Sequence, residues 1–205
     1  QKSDVVSLAG IYDIDPEKRA KAEANGIKAY PTLEAVLEDR SVDLVTVAVP
    51  NDCHKDIVIR ALEAGKNVIC EKPVALNSEE LEEMIAASDR TGKLFTVHQN
   101  RRWDTDMLRI KALYNKGELG QVVSIESRIH GSRGIPGDWR KQKAHGGGMV
   151  LDWGVHLIDQ ALQIVPEKIT SVYARLDYIT TKEVDDGCHI VIGFENGVYY
   201  TVEVG

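Results

Sequence analysis

Asp152, His156 and Asp159 recur at i, i+4 and i+7 in an apolar stretch of the second half of the chain. In a helix this spacing brings the three side chains towards one face. Imidazole, with an unperturbed pKa of about 6.5, suits removal of a hydroxyl proton at neutral pH. The trio also reads as a packed histidine with carboxylate partners, or as a metal-ligating set, although no H-E-x-x-H or other zinc pattern accompanies it. Lys72 follows the apolar run Val68-Ile69-Cys70 and precedes Pro73. That setting is the carboxyl edge of a strand, where open α/β folds bind ligands. An ammonium there would orient a hydroxyl and steady negative charge on its oxygen; a solvated loop lysine is the alternative. Gly146-Gly147-Gly148 would let backbone approach a ligand closely, or form a simple turn.

The elements that must hold these residues follow from the order of patterns. Strand-like runs at Val5–Tyr12, Ile27–Tyr30, Val42–Val49, Val68–Cys70 and Leu94–His98 alternate with helical segments. Asp15-Pro16 opens a helix that Asn25-Gly26 closes. A second helix carries Leu33, Val36 and Leu37, and a third runs from His54 to Ala64. Asn77 and Glu80 form a capping box for the helix that ends at Gly92. Val42–Val49 is apolar on both faces, as in a covered parallel strand. The rhythm calls for a doubly wound parallel sheet. After a helix near Trp103–Asn115 the pattern changes: Val122–Ile129 alternates, and a helix over Met149–Val165 shows the stripe Leu151, Val155, Ile158 and Leu162. Strands at Ile169–Tyr178, His189–Phe194 and Val198–Val204 follow, with Asn196-Gly197 as a hairpin turn. Two domains are expected, 1–100 and 101–205, with the change falling between Asn100 and Gly120.

In a dinucleotide fold, an acidic residue at the end of the second strand binds the ribose hydroxyls, ~20 residues beyond the glycine loop. Asp13 has that setting, as do many acidic residues that merely end strands. Counting back places the loop before Gln1. As a ribose ligand, Asp13 would favour a free 2′-hydroxyl, hence NAD over NADP.

The 205 residues are 43% hydrophobic and 28% charged, with a net charge of −7. That balance excludes a disordered or fibrous chain, and an acidic chain without a basic block speaks against non-specific nucleic-acid binding. No apolar run reaches the ~18 residues of a membrane span. Cys53, Cys70 and Cys188 are widely spaced and read as reduced, packed thiols of a cytoplasmic protein. The open second sheet invites self-association as a dimer or tetramer.

The segments Val49-Pro50-Asn51 with His54, Cys70-Glu71-Lys72-Pro73, Gln99-Asn100-Arg101-Arg102-Trp103-Asp104, Trp139-Arg140 and Gly146 to Asp159 resemble the Gfo/Idh/MocA oxidoreductases in order and separation. The resemblance spans essentially the whole chain. It implies a Rossmann-type domain lacking its first strand, then an α+β domain with a largely antiparallel open sheet: an internal piece of a longer enzyme. It further implies NAD as cofactor, bound by Asp13, Pro50, Asn51, His54, Glu71, Lys72, Gln99 and Arg102. A sugar, glycoside or cyclic polyol would meet Lys72, Trp139, Arg140, Asp152 and His156. Lys72, Asp152 and His156 would act in catalysis, His156 as acid and base, with no metal. An NAD-recycling glycosidase and a non-catalytic sensor of dinucleotide or sugar are the alternatives on the same fold.

Overall fold

The computed structural model describes residues 3–132 and 134–205. Its elements in order are α1 (Pro16–Ala24), α2 (Leu33–Glu38), β1 (Leu44–Val47), α3 (His54–Glu63), β2 (Asn67–Glu71), α4 (Ser78–Thr91), β3 (Phe95–His98), α5 (Thr105–Asn115), β4 (Ser124–Ile129), α6 (Val155–Ile164), β5 (Ile169–Asp177), β6 (Gly187–Phe194) and β7 (Tyr199–Val204). A π turn at Val150–Gly154 leads directly into α6.

Local chemistry sets the helix starts. Asp15 accepts the Glu17 N–H at 2.8 Å with Pro16 behind it, and Asn77 accepts the Glu80 N–H at 2.8 Å. The Glu80 carboxylate reaches back to the Leu76 N–H at 3.0 Å, one residue earlier than a standard capping box.

β1, β2 and β3 form a parallel sheet in that order. Val47, Val68 and Cys70 on one face pack with Val58, Ala61 and Leu62 of α3 and with Met84 and Ala87 of α4. Leu44, Thr46 and Ala48, on the opposite face of the first strand, are exposed, so the two-sided burial expected there is one-sided among the described residues. The expected strands at Val5–Tyr12 and Ile27–Tyr30 reduce to a single parallel bridge, Ile11 with Ala29. Val5, Val6 and Leu8 are exposed and lack a strand partner among the described residues, and a strand exists only through its ladder.

The second sheet has the order β4-β7-β6-β5, with β4 and β7 parallel and the other pairs antiparallel. Its inner face, including Ile190, Ile192, Tyr200, Val202 and Val204, packs against Leu157, Ala161 and Ile164 of α6. Leu157 and Ala161 lie one position before Ile158 and Leu162 of the expected stripe; Ile158 still packs, partly buried, against this core, whereas Leu162 is 46% exposed. The helix is apolar over more than one stripe, so its pattern left the phase open. Cys70 and Cys188 are buried, but Cys53 is exposed, contrary to the expectation that all three are packed; all are free thiols. No helix among the described residues is long and apolar enough to cross a membrane.

Candidate active site

Lys72 leaves the carboxyl end of β2, the central strand of the parallel sheet, through a cis peptide to Pro73. Its ammonium donates to the Asp152 main-chain carbonyl at 2.7 Å and to Asp152 Oδ1 at 3.0 Å. Both side chains are only 17% exposed, so the pair is shielded from most solvent screening. Arg140 brings a second cation to the same oxygen, Nε to Oδ1 at 3.3 Å. The Arg140 guanidinium also lies over the Trp139 ring, 4.6 Å from its centroid. Lys72, Asp152, Trp139 and Arg140 therefore form one connected group.

Asp152 sits in the π turn, not in the uninterrupted α-helix expected over Met149–Val165. Such single wide turns occur often at functional sites because they redirect side chains without ending the helix. His156 follows in the first turn of α6 and is 5% exposed. Burial pushes its imidazole down to about 4, and the Lys72 and Arg101 charges push the same way against Asp152 and Asp104. The ring is thus neutral at pH 7. Its Nδ1 is buried without a partner, and the edge-on Trp153 ring lies 5.9 Å away.

The 3₁₀ turn after β3 flanks this group. Gln99 Nε2 donates to the Val155 carbonyl at 3.4 Å, while its Oε1 is buried and unpartnered. The Arg101 guanidinium covers the Trp153 ring at 4.3 Å. Arg102, expected at a cofactor, grips Asp159 with two hydrogen bonds of 2.8 and 2.6 Å. The reason is geometric: a guanidinium fork matches a carboxylate in bidentate fashion. Asp159 thereby ties the 3₁₀ turn to α6.

The remaining expected residues sit in three other places. Glu71 Oε1 meets His98 Nδ1 at 2.7 Å, at the ends of β2 and β3. Asn51 is buried and donates to the Gly146 carbonyl at 2.8 Å, which ties the loop after Pro50 to the glycine run. His54 is fully buried, with Nδ1 at 2.9 Å from the Pro73 carbonyl and Nε2 at 3.0 Å from that of Val49. Both ring nitrogens are occupied by backbone, so His54 braces the Lys72 turn and offers nothing directly to a ligand. Among the described residues the Asp13 carboxylate has local partners alone, the Asp15 N–H at 2.9 Å and Lys18 at 3.2 Å. A cavity of ≈ 330 Å³ opens elsewhere, lined by His130, Arg175, His189 and Glu203, and contains none of these residues.

Sequence reasoning passed over Arg101 and Trp153 as a stacked pair. Their signal was present in the run of two arginines, but nothing local shows which guanidinium turns inward.

Residues 1–99 match the model described as "Oxidoreductase family, NAD-binding Rossmann fold", and residues 107–205 match the GFO/IDH/MocA C-terminal domain. The chain belongs to the GFO/IDH/MocA oxidoreductase family. A crystal structure of an NAD-binding protein from Listeria innocua is 52% identical with a TM-score of 0.97, over 99% of this chain and 60% of that one. The gentamicin-biosynthesis protein GenD2, crystallised in complex with NAD, is 27% identical with a TM-score of 0.90, over 97% of this chain and 58% of that one. The scyllo-inositol 2-dehydrogenase (NADP(+)) IolW of Bacillus subtilis is 34% identical over 142 residues, 68% of this chain and 40% of that protein. The chain spans about half the length of the curated relatives that match it, among them an oxidoreductase of Schizosaccharomyces pombe at 36% identity.

Proposed function

We propose that this GFO/IDH/MocA chain forms the catalytic half-site of an NAD-dependent dehydrogenase acting on a secondary hydroxyl of a sugar, glycoside or cyclic polyol. The observation that carries the proposal is the contact between Lys72 and Asp152, with neutral His156 one helical step beyond. On this reading residues 1–100 bind the cofactor and residues 101–205 the substrate. The inositol dehydrogenases among the relatives support the polyol class.

The residues present fit a nicotinamide dinucleotide. Gln99 Oε1 is a buried, unpaired acceptor suited to a carboxamide or ribose donor, and the Asp13 and Glu71 carboxylates suit ribose hydroxyls. Pro50 and Asn51 would hold the loop that borders it. Asp13 favours NAD, although its contact with Lys18 tempers its repulsion of a 2′-phosphate. When bound, the nicotinamide supplies the acceptor for the hydride that leaves the carbinol carbon.

The chain's own groups handle the oxygen. His156 takes the hydroxyl proton at Nε2, since Nδ1 is enclosed. A weakly basic imidazole suffices, because that proton becomes strongly acidic as the carbon gives up its hydride. Lys72 donates to the same oxygen and stabilises its growing charge. Asp152, held by Lys72 and Arg140, accepts from a neighbouring hydroxyl and fixes which carbon faces the cofactor. Trp139 would pack on the apolar face of the ring. Reduction runs the same steps backwards, with imidazolium as the acid.

The exposed outer strand β5, including Val172 and Tyr173, suits a dimer or tetramer built through the second sheet, and the free cysteines suit the cytoplasm. Incubating the intact protein with NAD and a panel of cyclic polyols and sugars tests the reaction. Stoichiometric NADH and ketone support it; turnover of a glycoside without net NADH identifies the recycling glycosidase, and cofactor binding without product identifies a sensor.

A further inference from the structure

The segment between β5 and β6 ends in two adjacent acidic residues, Asp185 and Asp186, both buried. Their carboxylates have different tasks. Asp186 closes its own loop, accepting from Ile179 N–H at 2.9 Å, from the Thr180 hydroxyl at 2.8 Å and from the Thr180 and Thr181 amides. Asp185 reaches 35 residues back along the chain, where Oδ2 accepts the Val150 N–H at 2.8 Å. Its main-chain carbonyl accepts the Met149 N–H at 3.0 Å.

Those two amides open the π turn that carries Asp152. The first N–H groups of a helical segment have no partner within it, and no residue just before this turn supplies a side-chain cap. Asp185 is thus a cap delivered from another part of the fold, and its negative charge faces the positive end of the segment. Gly148 makes the approach possible. A Cβ there would run into Asp185 Oδ1, and its φ of +109° is one that other residues rarely adopt. Gly148 N–H is in turn held by the Arg140 carbonyl at 3.0 Å, and its own carbonyl accepts the Asp152 N–H at 3.0 Å. One short path therefore runs from Asp185 through the opening of the turn to the residue that Lys72 and Arg140 grip.

We infer that Asp185 is a positioning residue, whose carboxylate sets the register of the π turn so that Asp152 meets Lys72 and Arg140. The inference rests on the dehydrogenase reading for its kinetic consequence, but the tether itself is independent of that reading.

The test uses the intact protein with Asp185→Ala, Asp185→Asn and, as neighbour control, Asp186→Ala. Amide hydrogen exchange, NAD binding and kcat with NAD and myo-inositol are measured on each. In Asp185→Ala the Val150 amide should exchange roughly tenfold faster, in line with loss of a helix cap. A small displacement of reacting groups can cost roughly hundredfold in rate, so kcat should fall on that order, while NAD affinity and far-UV circular dichroism stay unchanged. Asp185→Asn retains an acceptor for Val150 and should recover most of both signals. Asp186→Ala should loosen residues 179–181 and leave kcat in place. Unchanged Val150 exchange in Asp185→Ala overturns the tether; fast exchange with unaltered kcat overturns its positioning role. A wild-type protein that forms NADH with no member of the sugar and polyol panel overturns the redox reading alone, and the exchange rate then decides the tether.

Discussion

Lys72 and Asp152, 80 residues apart in the chain, are joined by two hydrogen bonds from one ammonium, at 2.7 Å to the main-chain carbonyl and 3.0 Å to the carboxylate. The contact connects the end of the central parallel strand to the turn that opens α6. On the proposed dehydrogenase reading, it would pre-aim a cation and an acceptor at one place, so that neither must be gathered when a substrate arrives.

Removing the ammonium while keeping its length isolates its electrostatic part. Lys72→Met should lower kcat by about 10²–10³-fold, the scale for losing a preorganised donor at a developing oxyanion. Steady-state NADH production reads it. A loss of only a few-fold would reduce Lys72 to a strut for Asp152.

His156→Gln should lower turnover by about 10²–10⁴-fold, as expected for loss of a positioned acid–base group. Its dissociation constant for NAD, measured by calorimetry, should stay within error of the wild type. Full turnover would remove His156 from the proton path.

The depressed imidazole pKa also fixes the pH dependence. With the folded value near about 4 and the unfolded value near the ordinary one, the unfolded chain binds the extra proton first. Stability is therefore intact above about pH 6.5 and falls as pH drops towards 4, by up to about 3 kcal/mol. Urea midpoints at pH 7 and pH 4.5 should differ more for wild type than for His156→Gln. The acid limb of kcat/KM for oxidation should lie near about 4 as well; a limb near 6.5 would contradict the burial of the ring.

Much of this arrangement was written in local sequence. Asp15-Pro16, Asn77 with Glu80, and Gly92 act within a turn of themselves, and their elements lie where those residues place them. The π turn was not legible, because one extra residue in a helix leaves no compositional mark. The parallel pairing of β4 with β7 depends on partners some 75 residues apart, as in Ser124 with Tyr199, and alternation alone carries no direction. His156 was readable as chemistry but not as buried. Asp185 carried no local signal at all, since its partner lies on another element.

Arg102→Ala should destabilise the protein through Asp159, which is 14% exposed and would lose both hydrogen bonds. Leaving such an acceptor unpaired costs about 1–3 kcal/mol, readable as a lowered urea midpoint. Arg102→Lys should restore only part of it, because an ammonium cannot make the forked contact. An unshifted midpoint in the alanine variant would show the pair to be idle.

Asp13→Ser, which removes the carboxylate beside Lys18, should move cofactor preference from NAD towards NADP by about tenfold or more, the equivalent of ~1.4 kcal/mol. The ratio of kcat/KM values for the two cofactors measures it. An unaltered ratio would place Asp13 away from the ribose.

Isotope transfer tests the proposed hydride step most directly. The intact protein is given NAD and a cyclic polyol deuterated at its carbinol carbon, and the product NADH is analysed by mass. The account predicts deuterium in the NADH of the wild type, with formation slowed by orders of magnitude in Lys72→Met and His156→Gln at unchanged NAD affinity. NADH formed at wild-type rate by both variants, or NADH without deuterium, would contradict it.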